Sequence, residues 1–461
     1  MFVYVLLLLS IPNICLSQSI VKTLPGFDGD LPFSLETGYV GVGENEEVQM
    51  FYTFMESERS PENDPLILWI IGGPGCSGLS AFLYQNGPLN FNYGNISDNK
   101  PTLMLNPYSW TKFANVIYLD SPVGTGFSYA TTSEGYKTGD RSSAAQLYDF
   151  LRKWLMTHPK FISNPLYVGG DSYAGIVAPI VLHEISSGNT KRNESQINLQ
   201  GFILGNPVTH LDFELNSRIT YAHQKAIIPK KLYKETKEHC KGKYMNPDRR
   251  NTICINNLQA INKTFEKMYM YNVMEPKCAW DLSALLGENN LLEIMRKIDV
   301  YTASQNSVEW CRDFMLVYVH FWANDQSVQN ALHVRKGTIQ EWIRCNASLV
   351  KYQYDVFPST LEYHRNFTKR DYRALIFSGD NDLAIPHLGT HQWIKSLKLK
   401  MTRDWKPWFV GDQIAGNVIT YSKKKYNLTY ATIKGGGHSA TEIRPKECFA
   451  MVDRWLAFNS L

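Results

Sequence analysis

Residues 167–175 read Tyr-Val-Gly-Gly-Asp-Ser-Tyr-Ala-Gly, and this stretch decides the fold of the 461-residue chain. A short apolar run leads into Ser172, and a helical pattern follows it. A serine on a sharp strand-to-helix turn needs small neighbours, which Gly170, Ala174 and Gly175 provide. The strict Gly-x-Ser-x-Gly pattern is not met, because Ala174 takes the second glycine position. The stretch predicts a nucleophile elbow.

Two later loops carry the groups that a serine nucleophile needs as partners. Residues 373–379 read as a buried strand, and the loop after it carries Asp380 and Asp382. Residues 427–433 read as a second strand, which opens into a glycine-rich loop ending at His438. Successive glycines let the histidine approach a serine without a backbone clash.

The chain order of these groups predicts a catalytic triad. A serine hydroxyl becomes an effective nucleophile when an adjacent base takes its proton. α/β-Hydrolases place serine first, then aspartate or glutamate, then histidine, which is the order found here. The predicted triad is Ser172, His438 and one of Asp380 and Asp382. The competing interpretation is that both aspartates form turns and that His438 is an ordinary loop residue.

An upstream glycine-rich loop is a candidate oxyanion hole. Residues 66–76 read Leu-Ile-Leu-Trp-Ile-Ile-Gly-Gly-Pro-Gly-Cys, an apolar strand that ends in small residues, and hydrolases of this type place the oxyanion loop there. Acyl transfer puts negative charge on the former carbonyl oxygen, and losing one fixed N–H donor there costs about 3–4 kcal/mol. The predicted donors are the amides of Gly73 and Tyr173. The alternative is a turn with no ligand role.

The order of apolar and helical patterns predicts an α/β-hydrolase fold. Alternating strands and helices are typical of a mostly parallel central sheet with crossover helices. The predicted strands also include residues 48–54, 66–71, 115–119, 166–170 and 201–205, with a helix over 140–156. Between 212 and 318 the sequence becomes helical and charged. We therefore predict a core of residues 18–211 and 319–461 with a helical cap insertion at 212–318.

Charge and composition exclude several classes of function. The 47 lysines and arginines nearly balance the 43 acidic residues, the net charge is +4, and no long basic run occurs. Nucleic-acid binding through a basic stripe is therefore not expected. No Cys-x-x-Cys pair is present, and the pair His183-Glu184 lacks a second histidine at Ser187, so neither common zinc pattern is met. We predict no metal and no cofactor.

The N-terminus and the sequons predict passage through the secretory pathway. Residues 1–17 have a short apolar core and a small-residue end, which is typical of a cleaved signal peptide. The first residues lack the usual positive charge, so an uncleaved anchor is the alternative. Candidate glycosylation sequons occur at Asn95, Asn193, Asn262, Asn346, Asn366 and Asn427. We predict a secreted or vacuolar protein with no membrane contact after signal removal.

The cysteines predict an oxidising compartment. The chain has eight of them, and Cys15 is lost with the signal, which leaves seven. An odd number predicts one free thiol, and the sequence alone does not pair the others. Disulfides persist in secreted proteins.

Beyond these patterns, the residues resemble the serine carboxypeptidases and, among them, the plant serine carboxypeptidase-like proteins. The similarity runs along nearly the whole mature chain. Its most specific blocks are Gly-Gly-Pro-Gly-Cys-Ser-Gly at 72–78, Asp-Ser-Pro-Val-Gly-Thr-Gly-Phe-Ser-Tyr at 120–129 and Gly-Asp-Ser-Tyr at 170–173. The resemblance implies a triad of Ser172, Asp382 and His438, and oxyanion donors at the amides of Gly73 and Tyr173.

The resemblance also implies a disulfide pattern and a role for the cap. The implied pairs are Cys76 with Cys345, Cys240 with Cys254, and Cys278 with Cys311, which leaves Cys448 free. In the family the cap shapes the substrate pocket. A bridge at Cys76 would tie the oxyanion loop to a distant part of the chain.

Three departures from the peptidase pattern concern substrate binding. The family's peptidases hold a terminal carboxylate with an asparagine before the double glycine and with a hydrogen-bonded pair of glutamates. The corresponding residues here are Ile71, Gln85 and Asp171. A carboxyl pair in contact shares one proton, because two adjacent like charges do not both ionise cheaply. With Gln85 opposite Asp171, that carboxylate clamp is expected to be absent.

Aspartate before the nucleophile resembles the plant acyltransferase branch of the family. That resemblance implies transfer of an acyl group from a 1-O-acyl-glucose ester to an alcohol or amine, through an acyl-enzyme on Ser172. Both substrates would be small molecules. Two alternatives remain open: a serine carboxypeptidase that releases C-terminal amino acids, and a secreted binding protein that has kept the fold without the reaction.

Overall fold

A computed structural model describes residues 17–97, 100–191, 195–278, 312–346 and 352–461. Its main feature is a twelve-stranded sheet beside a separate two-stranded one. The strands are β1 (Ser17–Ile20), β2 (Glu36–Val42), β3 (Val48–Met55), β4 (Leu66–Ile70), β5 (Leu89–Ser97), β6 (Lys100–Leu105), β7 (Asn115–Leu119), β8 (Tyr129–Ala130), β9 (Leu166–Asp171), β10 (Leu199–Gly205), β11 (Arg373–Gly379), β12 (Lys400–Val410), β13 (Gln413–Lys423) and β14 (Tyr426–Ile433).

The large sheet has a parallel centre and antiparallel edges. Six neighbouring strands run parallel in the order β7-β4-β9-β10-β11-β14. Strands β1, β2 and β3 complete one edge and β13 and β12 the other, all by antiparallel pairing. The carboxyl ends of the parallel strands therefore meet at one edge of the sheet, where ligands bind in open α/β sheets. The predicted fold class is confirmed.

Helices surround this sheet. They are α1 (Asp140–Thr157), α2 (Ala174–Gly188), α3 (Leu211–Gln224), α4 (Lys230–Cys240), α5 (Thr252–Phe265), α6 (Met315–Asn324), α7 (Gln326–Ala331), α8 (Leu361–Phe367), α9 (His387–Ser396), α10 (Ala440–Ile443) and α11 (Pro445–Leu456). A π-helical turn spans Ala81–Gln85.

The central strands are continuous apolar runs because both faces of the sheet are covered. Strand β4 reads Leu-Ile-Leu-Trp-Ile, and all of its residues are buried. On one face its Leu68 packs in a cluster that includes Trp154 of α1. On the other face its Trp69 packs in a second cluster that includes Trp455 of α11. The predicted strands and the predicted helix end within two residues of the observed ones.

The predicted domain division is only partly visible. Helices α4 and α5 lie within the predicted cap, α3 begins one residue before it, and residues 279–311 of that cap fall outside the described residues. The predicted boundary between 318 and 319 falls inside α6. Residues 1–16 of the predicted signal also lie outside the description. The division of the chain therefore stays a prediction.

The sequons occupy different environments. Asn262, Asn366 and Asn427 are exposed, Asn95 lies in β5, Asn193 is outside the described residues, and half-buried Asn346 donates from Nδ2 to the Gly124 carbonyl. Occupancy by glycans stays a prediction. In the described part of the chain, no helix combines the length and the apolar character needed to span a bilayer.

Candidate active site

Ser172 lies at the turn between β9 and α2. Its φ is +57°, in the left-handed region that a non-glycine residue seldom adopts. The Ser172 amide donates to the Gly205 carbonyl at 3.0 Å, and its carbonyl accepts the Val208 amide at 2.9 Å. The last residue of β10 and Val208, which follows the strand, thus hold the strained turn from both sides.

His438 connects the serine to an aspartate. Its Nε2 lies 2.7 Å from Ser172 Oγ, and its Nδ1 lies 2.7 Å from Asp382 Oδ2. With Nδ1–H donating to the carboxylate, Nε2 is free to accept the serine proton. Asp380 instead accepts the Gly435 amide at 2.7 Å. The structure therefore brings Asp382, and not Asp380, to the imidazole.

The surroundings of His438 favour its charged form. Burial alone would lower the pKa of His438. The charge of Asp382, its hydrogen bond to the imidazole and the charge of Asp171 outweigh burial, so the pKa lies above its ordinary value. A base with a raised pKa is neutral, and able to take a proton, only at correspondingly higher pH.

Asn206 supports the aspartate and was not anticipated from the sequence. Its Nδ2 donates to Asp382 Oδ2 at 2.8 Å. Its Oδ1 accepts the Gly379 amide at 3.2 Å, and its own amide donates to the Phe377 carbonyl at 2.8 Å. The available signal was its position immediately after the predicted strand 201–205, because that strand ends at the same sheet edge as the elbow.

A strap of residues 269–273 crosses the acid loop, residues 380–386. The Met270 carbonyl accepts two amides of the acid loop at 2.9 and 3.0 Å, and the Val273 amide donates to the Asn381 carbonyl at 3.0 Å. These bonds join the predicted cap to the loop that carries the aspartate. No sequence signal marked them, because they are formed by backbone groups.

The strap also contacts the histidine. The Tyr271 carbonyl accepts the His438 amide at 2.6 Å. A Cβ on Gly437 would lie only 2.4 Å from the same carbonyl oxygen. Glycine is therefore required at 437 by the crossing strap, which is a different reason from the approach to the serine that the sequence suggested.

The predicted oxyanion donors lie together. A Cβ on Gly72 would be 2.6 Å from the Tyr173 nitrogen, so the glycine-rich loop passes directly against the elbow. In the described residues neither the Gly73 amide nor the Tyr173 amide has an acceptor. The Tyr173 hydroxyl donates to buried Asp140 at 2.7 Å, which fixes the residue. Two unpaired amides beside a serine are what an oxyanion hole offers.

Asp120 holds the oxyanion loop, residues 72–79, from behind. Its carboxylate accepts Ser77 Oγ at 2.5 Å and the amides of Gly78 and Phe127 at 2.7 and 2.8 Å. Burial raises the pKa of Asp120 to about 6, although these hydrogen bonds oppose the shift. The loop is thus held by a fully buried carboxyl group.

Gln85 and Asp171 meet beside the nucleophile. Gln85 Nε2 donates to Asp171 Oδ2 at 2.7 Å, and Trp69 Nε1 donates to Gln85 Oε1 at 3.1 Å. The Gly72 amide approaches Asp171 Oδ1 at 3.4 Å. Burial raises the pKa of Asp171. Ile71 adds an apolar side chain to the lining of the same cleft.

The cleft over Ser172 and His438 encloses about 290 Å³. This volume is near the lower end of the range of small-molecule sites, about 300–1,000 Å³. One wall is charged: Arg312 donates to Glu275 at 2.6 Å and to Glu442 at 2.7 Å. Beside it, burial raises the pKa of Asp313. The wall suits a polar ligand.

The cleft has a second arginine, Arg344, which has fewer carboxylate partners than Arg312. It pairs with no carboxylate in the residues that the structure describes, and its Nε is buried without a hydrogen-bond partner. Its Nη1 contacts Cys345 Sγ at 3.4 Å. The guanidinium can therefore hold an anionic or hydroxyl-bearing group of a ligand.

The cysteines join distant loops. Cys76 is bonded to Cys345 across 269 residues, and Cys240 to Cys254 across 14. Cys278 is disulfide-bonded, and its predicted partner Cys311 lies outside the described residues. Buried Cys448 is a free thiol. Over the described ranges, no three His, Cys, Asp or Glu side chains are grouped to hold a metal ion.

Comparison with known proteins gives consistent results along the whole chain. A family model described as serine carboxypeptidase matches residues 25–458. Serine carboxypeptidase-like 7 of Arabidopsis thaliana is 47% identical, over 99% of this chain and 98% of the relative. Serine carboxypeptidase-like 13 of the same plant is 44% identical, over 100% of this chain and 99% of the relative.

Among solved structures, Kex1Δp, a prohormone-processing carboxypeptidase from Saccharomyces cerevisiae, superposes with a TM-score of 0.71. The alignment covers 92% of this chain and 91% of that one, at 17% sequence identity. At that identity the likeness concerns the fold.

Proposed function

This chain belongs to the serine carboxypeptidase family, a family of serine hydrolases, and from that premise we propose that it is an acyltransferase. Its donor is a 1-O-acyl-glucose ester, and its acceptor is an alcohol or an amine. The observation that carries the proposal is the Gln85–Asp171 contact, where the amide and carboxylate replace a pair of carboxyl groups.

The first half-reaction loads the serine. Ser172 Oγ attacks the ester carbonyl carbon while His438 Nε2 takes the hydroxyl proton, and Asp382 stabilises the resulting imidazolium. The amides of Gly73 and Tyr173 donate to the oxyanion. When the tetrahedral intermediate collapses, the bond to the glucose oxygen breaks and His438 returns the proton to that oxygen. The acyl group remains on Ser172.

The second half-reaction uses the acceptor in place of water. The acceptor oxygen or nitrogen attacks the acyl carbon, its proton passes to His438, and Ser172 Oγ leaves and recovers that proton. A cleft of about 290 Å³ favours this alternation, because it offers donor and acceptor the same limited space in turn.

The cleft lacks the groups that hold a peptide terminus in the family's peptidases. Ile71 has no donor to offer a carboxylate. Gln85 Nε2 is already committed to Asp171, so the two side chains do not share a proton as two carboxyl groups in contact would. Since a site discriminates through the hydrogen bonds that it can form, the loss of these donors favours an uncharged ester donor.

A carboxypeptidase activity is the second candidate, and Arg344 favours it. This guanidinium lines the cleft without a carboxylate partner in the described residues. A peptide's terminal carboxylate would satisfy it. An anionic group on either substrate of a transferase would satisfy it equally well.

The deciding experiment supplies both kinds of substrate. Purified glycosylated protein receives a panel of acyl-glucose esters with mixed alcohol and amine acceptors, and separately N-blocked dipeptides with a free carboxyl end. Mass spectrometry identifies the products. New acyl esters or amides with intact dipeptides are expected. Released C-terminal amino acids without acyl transfer would replace the proposal with the carboxypeptidase.

A parallel labelling experiment addresses the non-catalytic alternative. A serine-directed phosphonate is expected to label the wild-type protein and not the Ser172→Ala variant. Absence of label in wild type would favour a binding protein. We further propose that the protein works in the extracellular space or the vacuole, since its disulfides suit an oxidising route.

A further inference from the structure

Arg218 of α3 binds the acid loop through one backbone carbonyl. Its Nε and Nη2 donate to the Ala384 carbonyl at 3.0 and 2.6 Å. The side chain is half-buried, and in the part of the chain that the structure describes it forms no ion pair with a carboxylate. Charges that leave water are normally paired. The charge of this guanidinium therefore acts through the peptide group that it binds.

That peptide group also contacts the triad. Its carbonyl belongs to Ala384 and its N–H to Ile385, and the N–H donates to Asp382 Oδ1 at 3.0 Å. The peptide bond is trans, so the group is planar and its C=O and N–H point in opposite directions. Asp382 Oδ2 in turn accepts from His438 Nδ1 at 2.7 Å. One rigid peptide group thus joins the guanidinium of Arg218 to the carboxylate that orients the imidazole.

We propose that Arg218 is a positioning residue for the acid of the catalytic triad, and that it acts on Asp382 through the Ala384–Ile385 peptide group. A cation at the carbonyl end makes the N–H a stronger donor, because linked hydrogen bonds polarise one another in a buried site. The carboxylate is thereby kept in the orientation that receives His438 Nδ1–H. This inference rests on the acylation step of the proposed function.

The charge of Arg218 also opposes the acids around the imidazole. Burial lowers the pKa of His438, and the charges of Asp382 and Asp171 raise it. The charge of Arg218 acts against these two acids. Since His438 must be neutral to take the serine proton, the arginine extends the working range of the base to lower pH.

Three titratable groups face the guanidinium of Arg218. They are Asp382 of the acid loop, Tyr271 of the strap and Glu214 of α3. Burial raises the pKa of Glu214 to about 7, so this group ionises within the pH range in which the base is measured. The test is therefore repeated in a Glu214→Gln background, where this titration is absent.

The acid loop keeps other attachments to α3 and its C-terminal end when Arg218 is changed. The Tyr221 hydroxyl donates to the Asp380 carbonyl at 2.8 Å, and Lys225 Nζ donates to Asn381 Oδ1 at 2.8 Å. The cations that face the Asp380 carboxyl group are Lys225 and Arg444. Loss of the Arg218 side chain therefore loosens one peptide group rather than the whole loop.

The test measures acylation by stopped flow with a p-nitrophenyl ester from pH 4 to 8, which requires no acyl-glucose. The acidic limb of the rate reports protonation of His438, and the plateau reports the rate with the base neutral. Arg218→Met removes charge and donors, Arg218→Gln keeps an amide donor, and Arg218→Lys keeps the charge. Arg373→Met is the matched control, because Arg373 is also half-buried and donates to the Trp455 carbonyl, at the opposite end of β11 from the acid loop.

Arg218→Met is expected to lower the plateau about tenfold or more and to move the acidic limb to higher pH by about half a unit. Arg218→Gln should show the same limb shift with a smaller loss of the plateau. Arg218→Lys should keep the limb at the wild-type pH. Arg373→Met should keep both plateau and limb while losing stability.

Cooperative urea unfolding identifies the variants that are folded. A wild-type limb in folded Arg218→Met or Arg218→Gln would overturn the inference, and so would an equal limb shift in Arg218→Lys or Arg373→Met. A shifted limb with an undiminished plateau in Arg218→Met would also overturn it, because the arginine would then act as a charge without positioning the acid. If Arg218→Met does not fold, the comparison of Arg218→Gln with Arg218→Lys decides.

The same measurements separate this inference from the proposed function. Arg218-dependent acylation by the nitrophenyl ester, together with no transfer from any acyl-glucose, would retain the inference and reject the donor. Transfer from acyl-glucose whose rate and pH dependence do not change in the Arg218 variants would do the reverse. If wild type releases no nitrophenolate and takes up no phosphonate label, both fall.

Discussion

At the residue scale, the floor of the cleft is a chain of directed hydrogen bonds. Trp69 donates to Gln85 Oε1, which leaves Gln85 Nε2 pointing at Asp171. The tryptophan thus fixes the orientation of the amide, and the amide requires an acceptor at position 171. Asp171 meets that requirement with its Oδ2 atom, while burial raises the pKa of its carboxyl group.

We predict that Ile71→Asn, Gln85→Glu and Asp171→Glu together raise peptidase activity by about tenfold or more. The new carboxyl pair shares a proton, because both groups do not ionise in contact, and the asparagine supplies a donor for a terminal carboxylate. Release of amino acids from blocked dipeptides, measured between pH 4 and 7, provides the readout. The gain should be largest at acidic pH, where the shared proton is present.

The matched control for this change is Ile71→Leu combined with the same two glutamate substitutions. It carries the acid pair without the amide donor, so its gain should be smaller. If the asparagine combination gives no peptidase activity at acidic pH, the explanation through a lost carboxylate clamp is wrong.

A second prediction concerns the charge of Asp171. Asp171→Asn should move the acidic limb of the acylation rate to lower pH, because Asp171 is one of the charges that raise the pKa of His438. With less stabilisation of the imidazolium, the base is neutral at lower pH. Stopped-flow nitrophenolate release across pH 4–8 measures the limb. Stability should fall by about 1–3 kcal/mol, since the new amide places its donor against either Gln85 Nε2 or the Gly72 amide.

Adding Gln85→Glu to Asp171→Asn provides the rescue. A carboxylate at position 85 accepts from both Trp69 and the asparagine amide, so the lost stability should return. A limb that stays at the wild-type pH in Asp171→Asn would show that Asp382 alone governs the histidine.

At the element scale, the oxyanion loop depends on contacts from far along the chain. Cys76 is bonded to Cys345, the Ser77 amide donates to the Arg344 carbonyl at 2.8 Å, and the Asn346 amide donates to the Gly75 carbonyl at 2.9 Å. The disulfide and the two backbone hydrogen bonds therefore join residues 75–77 to residues 344–346, directly after Gly73.

We predict that replacing both Cys76 and Cys345 by serine lowers kcat about tenfold or more, because the oxyanion donors become less fixed. Stability should fall by about 2–5 kcal/mol. Replacing Cys240 and Cys254 by serine is the control, since that bridge joins α4 to α5 within the cap. The control should lose stability and keep kcat within about twofold. Equal losses of kcat in both variants, measured by initial rates below the melting transition, would contradict the prediction.

The elements that the sequence predicted are those whose structure follows from the pattern of their own residues. Strands β4, β9, β11 and β14 are apolar runs that end in loops with polar or small residues, so both their position and the exposed loop can be inferred. The strap could not be inferred, because its bonds to the acid loop come from backbone groups that every residue has. Asn206 lies between these cases: its position was visible, but its partner Asp382 is 176 residues away.

At the scale of the whole molecule, the parallel centre of the sheet and the antiparallel strand β3 were predictable, and the other antiparallel strands were not. Strand β12 reads Lys-Met-Thr-Arg-Asp-Trp-Lys-Pro-Trp-Phe-Val and is mostly exposed. It lacks the continuous apolar run of a buried strand, and its pairing with β13 is an interaction between neighbouring strands rather than a property of either sequence. The same limitation applies to β2, whose glycines weaken the strand pattern.

The folded molecule as a whole binds protons differently from the unfolded chain. Burial raises the pKa of Glu214 to about 7, above the ordinary 4.5. The folded state therefore holds a proton that the unfolded chain releases, and stability from this group falls as pH rises from about 4.5 to 7. Burial lowers the pKa of His364 to about 3, from the ordinary 6.5. The contribution of this group to stability therefore falls as pH falls from 6.5 to about 3, because the unfolded chain binds a proton that the folded state does not bind.

We predict that Glu214→Gln gains stability relative to wild type as pH rises. The amide keeps an oxygen for the Thr209 and His210 amides, which Glu214 Oε1 now accepts at 2.7 and 3.0 Å. It removes the cost of ionising a buried carboxyl group, which is about 1.4 kcal/mol per pH unit between the two pKa values. Urea unfolding at pH 5 and pH 8 should show the variant improving against wild type. A difference between the two proteins that does not change with pH would contradict the assigned protonation.

His364→Leu should behave in the opposite way, and its effect tests the acid side of the stability profile. Neither ring nitrogen of His364 has a hydrogen-bond partner in the described residues, and the ring packs against Phe202 and Trp393. An apolar side chain therefore removes two unsatisfied polar atoms and the cost of keeping an imidazole neutral below pH 6.5. The variant should exceed wild type in stability by a margin that grows by about 1.4 kcal/mol per pH unit as pH falls from 6.5 toward 4. Urea unfolding at pH 4.5, 5.5 and 7.5 measures that margin. A margin independent of pH would mean that His364 takes up no proton when the protein unfolds.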